Sequence, residues 1–454
     1  MKVVFVNPFQ MRPIGRKGRI YNRTWTPLEL ANGAALFRDA GHSVTIVDAN
    51  AEQLDPAATA ERCSGADLAF VTSTSLDRWQ CPHLDLGPFL ETVAAVDAKV
   101  DRVVVCGSHG TVRPKEILRL TRAAGLIVGE PEGVFAAWAK GSDPQSLPST
   151  AWRRDDDVVL NLRGPGVKMD DLPLPALDLL PMHLYSYEVM GDRFTLFELS
   201  RGCASECTFC LLDTYGTGVR RRTSERLLRE IDVAVAEHGV RNAYFIDLEF
   251  TVLRKQVVEV CEGLIARGTP LNWCCQTRFD LVDAELLALM KKAGCTLIHY
   301  GVEAGSDARL ASVNKGIDMA AIRRGMRLTK EAGIRTACFF MIGFPESDES
   351  DMRDIEAFAR ELAPDYPLFH IAAPYPGTAL HDQVVANPAL RFSDESLFPE
   401  AVEGRFTLRD WKRMTRRAYL RYYARPGYVA GRLLSGDFGA LWRQAKLFWN
   451  LVGA

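Results

Sequence analysis

Leu199-Ser-Arg-Gly-Cys203-Ala-Ser-Glu-Cys207-Thr-Phe-Cys210 follows the apolar run Phe194-Thr-Leu-Phe197, so three cysteines share one short loop just past a predicted strand. The spacing is Cys-x3-Cys-x2-Cys, with Phe209 directly before the last cysteine. A four-iron cluster normally takes four thiolates. Three on one loop leave one iron with a coordination site open to a small molecule. A structural zinc is the plainer alternative, but zinc draws four ligands from paired cysteine knuckles, and no second knuckle follows downstream. Cys203, Cys207 and Cys210 are therefore the expected cluster ligands.

Outward from that loop, the chain of 454 residues is too long for one ordinary domain. Its 47% hydrophobic and 25% charged residues are ordinary globular usage. A formal charge of −2 gives no cationic footprint for nucleic acid. Eleven cysteines, an odd number scattered through predicted strands and helices, do not make a secreted disulfide framework. The N-terminus reads as no signal peptide and no apolar run reaches spanning length. The expectation is a cytoplasmic protein without stable membrane insertion.

Residues 1–140 alternate apolar runs at 2–6, 43–47, 68–72, 103–106 and 125–129 with helical patterns at 28–40, 86–96 and 115–123 and from 132. Such uniform runs predict strands covered on both faces, hence a doubly wound, Rossmann-like α/β domain. Residues 141–193 carry Pro144, Pro148, Pro165, Pro173, Pro175 and Pro181 and read as a connector over the surface. A second βα series fills 194–380, with strands predicted at 195–200, 242–247, 272–277, 296–302, 335–342 and 369–373. Six such units curve into a partial (β/α)6 barrel whose site lies at the strand C-termini. Residues 381–454 form a helical C-terminal region, basic and aromatic over 410–423. A plain docking helix is the favoured reading of that stretch, ahead of a substrate cap or a membrane-surface contact.

The cysteine loop resembles the signature of the radical S-adenosylmethionine (SAM) enzymes. That resemblance implies a 4Fe–4S cluster, SAM chelated at the open iron, its reductive cleavage to a 5′-deoxyadenosyl radical, and an electron donor of flavodoxin or ferredoxin type. Phe245-Ile-Asp247-Leu-Glu249-Phe-Thr251 resembles the family's acidic turn that holds the SAM ammonium. Carboxylates at i and i+2 on extended backbone share a face, so Asp247 and Glu249 are both candidates. Gln276 and Arg278 also share a face and suit the SAM carboxylate, although Arg278 can equally pair with Asp280. Tyr300-Gly-Val-Glu303-Ala-Gly-Ser306 resembles the family's Gly-x-Glu-Ser-Gly-Ser, with Ala304 as a departure, and assigns Glu303 and Ser306 near the methionyl and ribose groups. Gly343-Phe-Pro345 matches the turn beside adenine, and Pro374-Tyr375-Pro-Gly-Thr378-Ala-Leu380 the closing motif. Cys261, Cys274, Cys275, Cys295 and Cys338 read as core residues.

Residues 1–139 resemble the cobalamin-binding domain of many radical SAM enzymes, through Val6-Asn-Pro8, the strand ending Asp48-Ala-Asn50, and Gly129-Glu130-Pro-Glu132. Several departures weigh against a bound cobalamin. No Asp-x-His-x-x-Gly run exists, Gly107-Ser108 replaces the usual Gly-Gly, and bulky Asp77-Arg78-Trp79 and Arg12, Arg16, Lys17 and Arg19 stand in loops where a broad flat ring needs small residues. His109 can ligate cobalt, but a hydrogen-bonding or surface role is the commoner one for a loop histidine.

The leading expectation is a radical SAM lyase without cobalamin, resembling the diol-dehydratases of apramycin-type aminoglycoside pathways. It implies an aminosugar substrate, loss of water assisted by a proton donor, and an NAD(P)H-dependent reductase partner. Asp213, Tyr215 and Glu206 are the candidate acids by position. The alternative is a cobalamin-dependent radical SAM methyltransferase or cyclase. A third reading is a non-catalytic iron–sulfur electron-transfer protein.

Overall fold

The computed structural model describes residues 1–10, 23–155, 157–216 and 218–428. Arg12, Arg16, Lys17 and Arg19 lie outside the described residues, as does the end of the expected C-terminal region. The first sheet begins with five parallel strands, Lys2–Asn7, Ser43–Asp48, Leu68–Thr72, Val103–Cys106 and Gly125–Ile127, in spatial order 2-1-3-4-5. Side chains alternate across it, as pleating requires. Val3, Phe5, Phe70 and Val104 face helices Leu28–Asp39 and Glu132–Ala139. Val4, Val6, Ala69, Val71 and Val105 face helices Pro56–Cys63, Gly87–Asp97 and Pro114–Leu120. This is the doubly wound domain expected from the apolar runs.

The stretch read as a surface connector is a correction. Thr150–Arg154 and Asp157–Leu160 form an antiparallel hairpin that extends the first sheet to seven strands. Further on, Ala176, Leu177 and Tyr185 are core residues. The Tyr185 hydroxyl donates to Asp48 at 2.7 Å, which fastens this stretch to the first domain.

The second sheet has six parallel strands in chain order: Phe194–Phe197, Asn242–Phe245, Asn272–Thr277, Cys295–Glu303, Arg335–Ile342 and Tyr366–Ile371. It does not close; the first and last of these are its edges. One face packs on helices Ser224–His238, Arg254–Arg267, Ala284–Lys292, Met319–Glu331 and Glu349–Leu362. The inner face is different. Leu196, Tyr244, Cys274, Leu297 and Ala337 pack there with Trp25, Leu28, Leu76 and Trp79 from the first domain. The first domain thus roofs the partial barrel.

Helix Leu408–Tyr423 starts at a Thr407/Asp410 capping box and docks on the last strand. The Phe369 N–H donates to the Tyr419 hydroxyl at 2.9 Å, and Arg421 pairs with Glu356 at 2.7 Å. The docking role read for this stretch is the one the structure supplies, and it covers an edge that would otherwise invite pairing.

Candidate active site at the strand ends of the second sheet

Gly202 opens the cysteine loop at φ +97, and a Cβ there would drive into the Gly218 carbonyl. Only glycine fits. Three neighbours then pin the loop. Thr208 N–H donates to the Val313 carbonyl at 3.1 Å, Leu380 N–H donates to the Thr208 carbonyl at 2.8 Å, and the Asn314 amide donates to the Glu206 carbonyl at 2.9 Å. The Phe209 ring meets Phe344 of the Gly-Phe-Pro turn at 5.5 Å. Cys203, Cys207 and Cys210 are half-buried, whereas Cys261, Cys274, Cys275, Cys295 and Cys338 are buried. Among the described residues, no three His, Cys, Asp or Glu side chains converge on a single-ion site. Thiolates on separate corners of a cube need no such convergence.

The charges around the loop come from the next strand ends. Ser205 donates to Glu249 at 2.7 Å and accepts from Arg278 at 2.9 Å. Arg278 also donates to the Lys315 carbonyl at 2.8 Å and grips Asp280 with both prongs, at 3.0 and 2.9 Å. The alternative pairing with Asp280 is therefore realised, and Arg278 ties three loops together instead of presenting a free fork. Glu303 pairs with Lys315 at 2.9 Å, both nearly buried. A register shift between Gly301 and Glu303 re-aims that carboxylate, the usual service of a bulge near a site. Burial pushes Lys315 down, but its neighbours, the Glu303 carboxylate foremost, together more than offset this and raise it. Lys315, Glu303, Arg278 and Glu249 all act electrostatically on Cys207. The cysteine loop and these charged groups lie together: the three thiols are those that would hold a cluster, and Glu249, Arg278, Glu303 and Lys315 those that would face SAM beside it.

Other expected SAM residues are placed differently. Asp247 is buried and accepts from the backbone N–H groups of Leu199 and Ser200 and from the Ser200 hydroxyl, at 3.0, 2.5 and 2.6 Å. Its carboxylate holds the strand that delivers the cysteine loop. Gln276 is taken up by the Tyr244 hydroxyl at 3.0 Å and the Leu248 carbonyl at 3.3 Å. Ser306 caps helix Asp307–Ser312, accepting from Arg309 N–H at 3.3 Å. Gly343 lies under the Trp411 ring, and the Pro345 carbonyl accepts from Arg309 at 3.4 Å. Tyr375 donates to the Pro82 carbonyl at 3.0 Å, across to the first domain.

The three candidate acids separate. Glu206 is exposed. Tyr215 is buried, donates to Gln80 at 3.2 Å and packs edge-on against Trp79, so it serves the domain junction. The Asp213 carboxylate lies against Gly377, and burial raises its pKa although Arg163 pulls the other way.

Arg201, two residues before Cys203, was not singled out by its sequence. It is wholly buried and holds Glu198 at 2.8 Å, Glu132 at 3.0 Å and Glu130 at 3.2 Å. Glu130 also pairs with Arg220. Both acids of Gly129-Glu130-Pro-Glu132 are thereby committed to the second domain. The only hint in the sequence is the pair of closely spaced acids after a strand.

The strand order 2-1-3-4-5 puts a ligand crevice at the strand C-termini of the first sheet, where a corrin would sit. In this chain that crevice is filled. Gln10 bridges to the Ser73 carbonyl at 3.3 Å, Ser108 donates to the Trp79 carbonyl at 2.9 Å, and Thr214 donates to Ser108 at 3.0 Å. The Arg163 side chain covers Gly129, and Trp79 is fully buried. His109 bonds Thr74 at 3.1 Å and the His83 carbonyl at 2.7 Å, so both ring nitrogens are occupied. Burial holds it down at about 4. Among the described residues, these side chains and their hydrogen bonds occupy the crevice.

Residues 197–359 match the model of the radical SAM superfamily. The chain is 27% identical over 442 residues to an uncharacterized methyltransferase of Pyrococcus horikoshii, covering 94% of this chain and 93% of that one. It is also 27% identical over 397 residues to the anaerobic magnesium-protoporphyrin IX monomethyl ester cyclase of Cereibacter sphaeroides, covering 85% of this chain and 64% of the cyclase. Among solved structures, the radical SAM methyltransferase TsrM from Kitasatospora setae, with cobalamin and a [4Fe–4S] cluster bound, superposes with a TM-score of 0.67 at 17% identity, covering 86% and 77% of the two chains. Residues 197–359, which hold the cysteine loop and most of the second sheet, are thus similar to the radical SAM superfamily, and the fold of both domains together is similar to that of TsrM.

Proposed function

We propose that this radical SAM enzyme acts on a small molecule as its methyltransferase and cyclase relatives do, adding a methyl group or closing a ring. The observation that carries the reading is coverage: a relative named a methyltransferase aligns with 94% of the chain, both domains included. When bound, a cluster on Cys203, Cys207 and Cys210 together with SAM supplies a 5′-deoxyadenosyl radical. Glu249, half-neutralised by Ser205 and Arg278, offers a carboxylate to the SAM ammonium, and the Glu303–Lys315 pair lines the same mouth. An acidic electron carrier of flavodoxin or ferredoxin type completes the system. Dehydration of an aminosugar diol, with its reductase partner, has no support among the named relatives.

One observation favours a second reading. The filled strand-end crevice suits a radical reaction run without a corrin, in which Asp213 is the best placed of the three candidate acids. The deciding experiment is anaerobic turnover of the reconstituted full chain, with corrinoid absorbance recorded and 5′-deoxyadenosine and S-adenosylhomocysteine both quantified. S-Adenosylhomocysteine with stoichiometric corrinoid supports methyl transfer. Deoxyadenosine alone, without corrinoid, supports the second reading. Neither nucleoside would sink the class.

A further inference from the structure

The loop after the third strand of the first sheet crosses to the second domain and is fastened there at two points. Gln80 accepts from Tyr215, and the Pro82 carbonyl accepts from Tyr375. These anchors flank the strand-end mouth, one just after the cysteine loop and one after the last strand. Below them the inner face of the partial barrel opens. Ala337 is fully buried and Phe339, two residues further along the same strand, half-buried; His370 on the last strand is exposed, whereas His299, two past the buried Leu297, stays buried. Alternation puts His370 on the inner face, since Phe369 packs outward against Tyr419. The Phe339 and His370 rings meet at 5.6 Å. Cys81, between the two anchors, is exposed. The Gln80 anchor holds Tyr215, five residues past Cys210, so the loop lies beside the end of the cysteine loop.

Arg78 is the odd residue of this roof. It is half-buried, its Nε is buried without a partner, and no described residue hydrogen-bonds or ion-pairs with its guanidinium. Other sheltered arginines have partners: Arg201, Arg220, Arg222, Arg278 and Arg309 each hold a carboxylate, and Arg226, Arg241 and Arg335 donate to backbone carbonyls. The acid beside it, Asp77, faces Arg23 at 3.8 Å. A sheltered cation without a counter-charge is costly, and the five-donor fork of arginine matches carboxylate and phosphate geometry. Arg78 ends the turn Leu76–Arg78, two residues before Gln80, in the same loop that Tyr215 and Tyr375 anchor across the mouth.

We propose that Arg78 binds an oxyanion of the substrate, a carboxylate or a phosphate, under the loop of the first domain and beside the cysteine loop. This rests on the radical SAM reading of the mouth and adds the substrate's charge, opposite in sign to an aminosugar. The test is calorimetric titration of the full chain, reconstituted with iron and sulfide and saturated with SAM, using inorganic phosphate and separately acetate. Saturable binding of either anion, weakened about tenfold or more in R78Q and partly recovered in R78K, supports the proposal and says which oxyanion fits. Arg62→Gln, at a surface pair with Glu52, serves as the charge control and leaves binding unchanged. If neither anion binds, or if binding survives in a folded R78Q, the proposal is overturned. Release of 5′-deoxyadenosine by the wild-type protein tests the radical SAM reading by itself, so a chain that cleaves SAM and ignores both anions sinks this inference alone.

Discussion

Arg201 and Glu132 pair at 3.0 Å with neither side chain in contact with water, across the junction of the two domains. Glu198 and Glu130 share the same guanidinium. Removing the cation leaves buried carboxylates facing one another, a loss of roughly 3–5 kcal/mol by comparison with other broken buried pairs. R201M should therefore lower the urea midpoint strongly, and adding E132Q should recover part of the loss. A fall of less than about 1 kcal/mol, the range of an exposed pair, would contradict this.

Lys315 neutralises Glu303 inside the mouth. K315A leaves that carboxylate buried and unpaired, so it takes up a proton or turns away. The expected result is SAM binding weakened by about tenfold or more, measured by equilibrium dialysis on the reconstituted protein. Unchanged SAM affinity would remove the pair from the site.

Each of Cys203→Ala, Cys207→Ala and Cys210→Ala should abolish iron retention and 5′-deoxyadenosine formation while the chain stays folded, because these thiols sit on a half-buried loop. Cys274→Ala, in the barrel core, should keep its iron and lose only packing energy. Iron retained by any of the first three would be the adverse outcome.

Glu29 is buried, with Oε2 accepting from Leu76 N–H at 3.1 Å and Oε1 unpartnered. Burial raises its pKa from an ordinary 4.5 to about 8. The folded state thus binds this proton more tightly than the unfolded state, and the stability it contributes is complete below 4.5 and lost as pH rises through 8. Melting temperature should fall between pH 6.5 and 9, and E29Q, which stays neutral, should flatten that slope. An equal slope in both proteins would rule the group out.

Strand Arg335–Ile342 was legible to the residue, because a long apolar run leaves little choice of boundary. The last strand was read from 369 and begins at Tyr366, since Pro367 interrupts the run; at a sheet edge its missing N–H costs no ladder bond. The hairpin at Thr150–Arg154 was hidden because Arg153, Arg154, Val159 and Leu160 are exposed and the pattern never alternates cleanly.

Within the site, spacing told which face Asp247 and Glu249 share but not how deep each lies. The deeper one met the backbone of Leu199 and Ser200; the shallower met Ser205. Arg201 was illegible for another reason. Its partners Glu132 and Glu130 lie 69 and 71 residues away in the chain, and nothing local announces such a meeting.

Tyr419 answers both halves of one peptide on the unfinished side of the second sheet, accepting from Phe369 N–H at 2.9 Å and donating to the Phe369 carbonyl at 3.3 Å. One phenol thereby does there what an additional strand would do in a closed barrel. At that residue the edge offers no free backbone group to an added strand.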